Sequence, residues 1–250
     1  IDAYLATQER QYSDIVPGTE KEIIWAGEKG AKTPLAIVYL HGFSATKHEI
    51  QPVPDQVAAA LGANLFYTRL SGHGRGAAPM AEPAAGDWIE DVAEALAIGQ
   101  RLGERVIVIS TSTGGTLAAI AATDPELAKG VVGMVLVSPN FGIDKTAAFL
   151  LNLPFVRFWG PVVAGAERSS DVRNADYSRF WTTRYPTVST IPMAALVRHA
   201  LTLDYAKAAA PALFIYFDAD RVVQPTITAQ IAAKWGAGAT IYHPSLTEND

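Results

Sequence analysis

The chain alternates short apolar runs with longer segments whose apolar residues recur at helical spacing. This alternation is typical of a mainly parallel β-sheet covered by helices, and it predicts the α/β fold class. Strands are predicted at residues 22–25, 35–40, 64–69, 105–110, 131–137, 212–217 and 240–243. Helices are predicted at residues 49–61, 87–102, 114–122 and 225–235, with Asp87 as the N-cap of the second.

One region departs from this alternation. Residues 141–207 are rich in aromatic side chains, include a helical pattern at 193–203, and are too numerous for a loop between strands. We expect a helical insertion that lies as a cap over one edge of the sheet. The predicted division is a core of residues 1–140 and 208–250 and a cap of residues 141–207. Most of the cap's aromatic residues are expected to form its own core, and a few to line a pocket.

Composition narrows the range of partners. The 250 residues are 49% hydrophobic and 18% charged, a composition that can bury the core of one large domain. The net charge of −5 offers no basic field for nucleic acid or anionic lipid, and no apolar run is long enough to span a bilayer. We therefore expect a small-molecule ligand, no nucleic-acid partner and no stable membrane insertion. The sequence does not indicate an oligomeric state.

Cysteine usage and the first residue bear on chemistry and compartment. The absence of cysteine excludes disulfides, thiolate metal sites and a cysteine nucleophile. The sequence begins at Ile1 and not at methionine. A soluble protein is expected, either cytoplasmic or exported after removal of an N-terminal signal that this chain does not contain.

The turn after the fourth predicted strand carries the strongest chemical signal. There an apolar strand runs into a helix through Ser110-Thr111-Ser112-Thr113-Gly114. A sharp strand-to-helix turn of this kind raises a serine hydroxyl above the sheet, needs small neighbours, and points the positive helix end at the same place. Ser112 is therefore a candidate nucleophile. The alternative is an ordinary loop in which a serine caps the helix.

Four motifs, each placed after a predicted strand, occur in a fixed order. They are Leu40-His41-Gly42-Phe43-Ser44, Arg69-Leu70-Ser71-Gly72-His73-Gly74, Ser110-Thr111-Ser112-Thr113-Gly114 and Phe217-Asp218-Ala219-Asp220-Arg221-Val222-Val223. Together they resemble the α/β-hydrolases, most closely the carboxylesterase and monoacylglycerol-lipase-like branch, over nearly the whole chain. The resemblance implies an α/β-hydrolase fold, with a mostly parallel central sheet flanked by helices and a helical cap insertion. Ser110 stands where the family usually has glycine.

The resemblance implies roles for particular residues. Ser112 matches the nucleophile, and the backbone N–H groups of Thr113 and Phe43 match the oxyanion hole. Asp220 matches the triad acid, because the family places an aspartate before a Val-Val or Val-Pro pair after the penultimate strand. Asp218 and Asp144 are the alternatives for that role. His41 is expected to be structural.

The histidine base is the member that the sequence does not supply at the expected place. Activation of a serine needs a general base, which the family places in the loop after the last strand. His243 falls within the last predicted strand and is a weaker alternative. We expect the chain to be cut short of the natural protein, with the histidine lying beyond Asp250.

The resulting expectation is a serine hydrolase that cleaves esters of small or medium apolar acyl groups through an acyl-enzyme. The alternatives are a catalytically silent binding protein of the same fold, or hydrolysis of amide, thioester or carbon–carbon bonds. The run from Gly72 to Ala77 fits a dinucleotide-binding turn, but Pro79 and Pro83 follow where that turn needs a helix. No histidine pair has metal-ligand spacing. Neither a cofactor nor a metal is expected.

Overall fold

The apolar runs form a seven-stranded sheet in this computed structural model, which describes residues 1–142, 148–220 and 222–244. The strands are β1 (Glu22–Ile24), β2 (Thr33–Leu40), β3 (Asn64–Tyr67), β4 (Gly103–Thr111), β5 (Val131–Val137), β6 (Glu167–Ser169), β7 (Arg184–Pro186), β8 (Ala212–Ile215) and β9 (Ala239–Tyr242). The order in the large sheet is β1-β3-β2-β4-β5-β8-β9. Strand β1 runs antiparallel to β3, and the other neighbours are parallel, as predicted.

Helices cover both faces of this sheet. The α-helices of the described residues are α1 (Asp2–Glu9), α2 (Val53–Leu61), α3 (Ala85–Leu102), α4 (Thr113–Thr123), α5 (Val156–Ala164), α6 (Ala175–Phe180), α7 (Thr190–Ala200) and α8 (Pro225–Ala233), of which α5 and α6 belong to the segment between β5 and β8. The prediction that Asp87 is an N-cap was wrong, because α3 begins at Ala85. Asp87 instead lies in the first turn, where its carboxylate accepts the N–H of Ala84 at 2.7 Å. Asp87 therefore caps the N-terminus of α3 from its first turn and not from the N-cap position.

The central strands are buried on both faces. Along β2, Val38 and Leu40 belong to the larger core cluster, whereas Ile37 and Tyr39 belong to a smaller cluster on the other face. This division follows from the two-residue period of a strand. It also explains why the strand is a continuous apolar run and not an alternating one, since a parallel strand is covered by helices on both sides.

The segment between β5 and β8 contains helices and a small hairpin. Helices α5, α6 and α7 lie in it, and β6 pairs antiparallel with β7, a pairing that the sequence analysis did not predict. Helix α7 packs against α3 and α4, and its residues Ala194, Leu196 and Ala200 are buried. The segment is therefore joined to the larger core through α7. Within the described ranges, no helix is long and apolar enough to cross a membrane.

Candidate active site

Ser112 occupies a sharp turn between β4 and α4. Its backbone angles are φ 51° and ψ −115°, a region that residues with a side chain adopt only with strain. The turn is held by the last residue of β5 and by the chain that follows it: the Ser112 N–H donates to Val137 O at 2.9 Å, and the Asn140 N–H donates to Ser112 O at 3.0 Å. Strain maintained by surrounding bonds is typical of a functional site.

Small residues make this turn possible. A β carbon at Gly114 would lie 2.1 Å from Leu40 O, and one at Gly115 would lie 2.7 Å from Pro139 Cβ. Both distances are shorter than a real β carbon allows, so a side chain at Gly114 or Gly115 would have to displace these neighbouring atoms. Ser110, in the place of the family's usual glycine, is fully buried, and its hydroxyl donates to Val135 O at 2.9 Å. The serine therefore fits this position with its polar group satisfied.

The loop after β2 lies directly against Ser112. A β carbon at Gly42 would be only 3.1 Å from Ser112 Cβ. The backbone N–H of Phe43, next in this loop, and that of Thr113, next after Ser112, have no hydrogen-bond partner among the described residues. Thr113 also opens α4, whose N-terminus carries partial positive charge. Both predicted oxyanion donors thus flank the contact between the two loops.

Aromatic packing fixes the Phe43 side chain. Its ring centroid lies 5.1 Å from that of Tyr185, 5.8 Å from that of His73 and 6.1 Å from that of Trp88, each in an edge-to-face arrangement. His73 belongs to the motif of residues 69–74, so the loop of that motif packs against the loop that contains Phe43. This arrangement restricts the backbone of the loop that carries the Phe43 N–H.

His41 and His73 are structural in their geometry. His41 donates from Nδ1 to Gly42 O at 2.8 Å and accepts the Leu70 N–H at Nε2 at 3.1 Å, so both ring nitrogens are engaged. Burial lowers the pKa of His41 to about 4 and lowers the pKa of His73 well below its usual range. Both rings are therefore neutral at physiological pH, and His41 is not free to accept a proton from serine.

Asp220 lies in the turn after β8. Its Oδ1 accepts the N–H groups of Val222 at 2.8 Å and Val223 at 3.1 Å, and the side chain is partly buried. These bonds fix the carboxylate in place. Asp218 is 82% exposed at its side chain. The third alternative, Asp144, lies outside the described residues.

His243 follows the last strand but does not meet Ser112. Its Nδ1 lies 3.4 Å from Asp218 Oδ1, its ring packs against Tyr216, and 44% of the side chain is exposed. No histidine in the described part of the chain hydrogen-bonds to Ser112 or to Asp220. The site therefore brings together the predicted nucleophile and the loop of its oxyanion donors, but not the base.

An apolar cavity of about 260 Å³ lies between α5, β7 and the start of α7. Its lining is predominantly apolar and includes Leu151, Val156, Trp159, Tyr185, Ile191 and Met193. Tyr185 connects the cavity to the site, because its ring also contacts Phe43. The hairpin is joined to the same loop by the Thr182 N–H, which donates to Ser44 O at 2.8 Å. The sequence analysis expected a few aromatic residues of this segment to line a pocket but did not single out Tyr185, since a lone tyrosine carries no spacing signal.

Glu49 was also missed. Its Oε2 accepts the Gly42 N–H at 2.7 Å and the Tyr39 hydroxyl at 3.0 Å, directly behind the loop that faces Ser112. In the sequence it stands only as the first residue of a predicted helix. No pattern in the chain connects it to Gly42, because the contact arises when the loop folds back.

Comparison with known proteins identifies the family. A profile described as "Alpha/beta hydrolase family" matches residues 37–246, and the chain belongs to that family. The chain is 28% identical over 196 residues to the thermostable monoacylglycerol lipase of Bacillus sp. (strain H-257), covering 77% of this chain and 73% of that protein. The resemblance predicted from the four motifs is confirmed.

Solved structures show the same fold. One, from work on the metagenome-derived lipolytic enzymes LipS and LipT, aligns with a TM-score of 0.73 at 20% identity, over 92% of this chain and 89% of that one. The monoacylglycerol lipase of Paleococcus ferrophilus aligns with a TM-score of 0.65 at 16% identity, over 90% and 87%. The predicted α/β-hydrolase fold, with its mostly parallel sheet and flanking helices, is confirmed.

Proposed function

We propose that this protein is a serine hydrolase that cleaves carboxylic esters of small or medium apolar acyl groups. The observation that carries the proposal is the strained backbone of Ser112 at the strand-to-helix turn, pressed against the Gly42–Phe43 loop. Backbone strain at residues with a side chain is concentrated at functional sites, so the strained serine in this turn favours a role for its hydroxyl. The relatives named lipases support the same class of reaction.

The proposed mechanism has two steps and passes through an acyl-enzyme. The Ser112 hydroxyl attacks the ester carbonyl while a histidine base accepts its proton, and Asp220 orients that histidine. The N–H groups of Phe43 and Thr113 bind the oxyanion of each tetrahedral intermediate. The first intermediate expels the alcohol, which takes the proton from the histidine, and leaves the acyl-serine. The histidine then takes a proton from water as that water attacks the acyl-serine, and the second intermediate releases the acid as the proton returns to Ser112. The family places the base after the last strand, and none of the described histidines hydrogen-bonds to Ser112.

The substrate class follows from the cavity. A space of about 260 Å³ lined by aliphatic and aromatic side chains favours an acyl chain over a sugar or phosphate. We propose that the segment between β5 and β8 acts as a cap that supplies this cavity. Helix α7 contributes to both the cavity and the core, since Ile191 and Met193 line the cavity and Leu196 is buried in the larger core cluster. The ligand is accordingly a small-molecule ester, with no cofactor required.

Turnover of p-nitrophenyl esters by the full-length protein tests this proposal. A series from acetate to laurate should give hydrolysis with a preference for one range of chain lengths. Ser112→Ala should lower kcat at least about 10³-fold with the fold intact. Undiminished turnover in Ser112→Ala would refute the assignment of Ser112 as the nucleophile. A folded wild-type protein without turnover on any ester, amide or thioester would instead indicate a silent binding protein.

A further inference from the structure

Glu49 is a carboxyl group inside the wall of the proposed site. It lies in the short 3₁₀ turn Lys47–Glu49, which follows the Gly42–Phe43 loop. A β carbon at Gly42 would lie 2.6 Å from Glu49 Oε1 and 3.1 Å from Ser112 Cβ. The carboxyl and the nucleophile thus border the same small space beside Gly42. Glu49 has no role in the two-step hydrolysis proposed for Ser112.

The carboxyl connects two elements of the site. Its Oε2 accepts the N–H of Gly42, the peptide directly before the Phe43 N–H. The same oxygen accepts the Tyr39 hydroxyl, and that hydroxyl lies 3.1 Å from Thr111 Oγ1 at the end of β4. One chain of hydrogen bonds therefore runs from the residue before Ser112 to the residue before Phe43.

We propose that Glu49 is a positioning residue for ester hydrolysis, which fixes the Gly42 peptide so that the Phe43 N–H meets the oxyanion. This inference rests on the proposed function, since it concerns the same oxyanion loop. Its action is on the transition state, because the oxyanion forms only there. The loss of positioning should therefore appear in kcat and not in KM.

The charge of Glu49 should also make kcat depend on pH, with a fall as the carboxyl loses its proton. Burial raises the pKa of Glu49 to about 7, against the lowering effect of the Gly42 and Tyr39 hydrogen bonds. Below that pH the carboxyl is neutral, and above it a negative charge stands beside the forming oxyanion. Because a negative charge behind the oxyanion loop opposes the formation of the oxyanion in a partly buried site, kcat should fall as the pH rises through about 7.

Other ionisable groups around Glu49 do not provide the same titration. Among the described residues, Tyr39 is the titratable side chain that hydrogen-bonds to Glu49, and burial raises the Tyr39 pKa well above its usual range. Of its neighbours on the same turn, Lys47 pairs with Glu22 and His48 hydrogen-bonds to Gly18 O at 3.0 Å. Protonation of the histidine base affects the opposite limb, since kcat rises as a base is deprotonated.

Three variants separate positioning from charge. In Glu49→Gln the amide oxygen can still accept the Gly42 N–H, so kcat should stay within about threefold of wild type at pH 6 and should not fall above pH 7. Glu49→Ala leaves that N–H without an acceptor and should lower kcat about 10- to 100-fold, with KM within about threefold. Tyr39→Phe removes a bond that lowers the Glu49 pKa, so the falling limb should move to higher pH.

Asp55→Asn is the matched control. Asp55 also accepts a tyrosine hydroxyl, that of Tyr67 on the neighbouring strand, but its carboxyl does not hydrogen-bond to the Gly42 loop. It should retain the wild-type kcat and pH profile. Urea unfolding and titration of active sites with a fluorophosphonate correct each kcat for the folded fraction. If Glu49→Ala does not fold, the pH profile of Glu49→Gln decides alone.

The outcomes keep the two proposals apart. Wild-type kcat in folded Glu49→Ala, or an unchanged falling limb in Glu49→Gln, would overturn the role of Glu49 while leaving the hydrolase intact. Absence of turnover in the wild-type protein would overturn both. A loss of kcat in Glu49→Ala, with the falling limb absent in Glu49→Gln, would support the role.

Discussion

Replacement of Ser112 by glycine should remove activity and yet stabilise the fold relative to alanine. Both Ser112→Gly and Ser112→Ala remove the hydroxyl, but only glycine is unstrained at φ 51° and ψ −115°. The strained conformation costs about 1–3 kcal/mol for a residue with a side chain. Glycine gives back about 0.5–1 kcal/mol through the greater freedom of the unfolded chain. The difference leaves Ser112→Gly more stable than Ser112→Ala by up to about 2.5 kcal/mol.

Urea unfolding followed by circular dichroism measures this difference. The control is Ala97→Gly, at an exposed position within α3, where glycine should cost about 1 kcal/mol against alanine. The expected result is thus a change of sign between two alanine-to-glycine comparisons in the same protein. If Ser112→Gly were no more stable than Ser112→Ala, the backbone at Ser112 would not be strained, and the reasoning from strain to function would fail.

Three further predictions follow from the geometry. Gly114→Ala places a β carbon 2.1 Å from Leu40 O, so it should cost about 1–3 kcal/mol of unfolding free energy and about 10²-fold in kcat, whereas Gly86→Ala, with open space around it, should retain activity. Asp220→Ala should lower kcat about 10³- to 10⁴-fold, and Asp218→Ala should change it less than about threefold; comparable losses in the two would contradict the assignment. Ile191→Trp fills part of the apolar cavity, and kcat/KM for a series of esters should shift to shorter acyl chains; an unchanged preference would place the acyl group elsewhere.

The sequence was sufficient for the central sheet because its strands are apolar runs of ordinary length. Strand β5 was predicted with its observed bounds, and the others differ at their ends by one or two residues. The β6–β7 hairpin was not predicted, since three exposed residues such as Glu167–Ser169 carry no hydrophobic period. Asp87 was misassigned because its side chain caps the helix from the first turn and not from its edge.

The candidate site could be proposed from the sequence where its chemistry requires particular residue types in one local run. Ser112 and Gly114 lie in a single turn, so the crowding that demands glycine is visible in the sequence. Glu49 and Tyr185 reach the Gly42–Phe43 loop from separate parts of the chain. Contacts of this kind arise from tertiary folding, and no hydrophobic period or residue spacing in a single sequence predicts them.

Reaction of the full-length protein with a fluorophosphonate probe tests the central claim most directly. Intact mass followed by tryptic mapping should show one adduct, within the peptide of residues 106–129, and fragmentation should place it on Ser112. The Ser112→Ala variant should remain unmodified. That result would establish an activated serine and hence a base that accepts its proton. A folded protein without an adduct, or with the adduct on another residue, would contradict the assignment of Ser112 as the nucleophile.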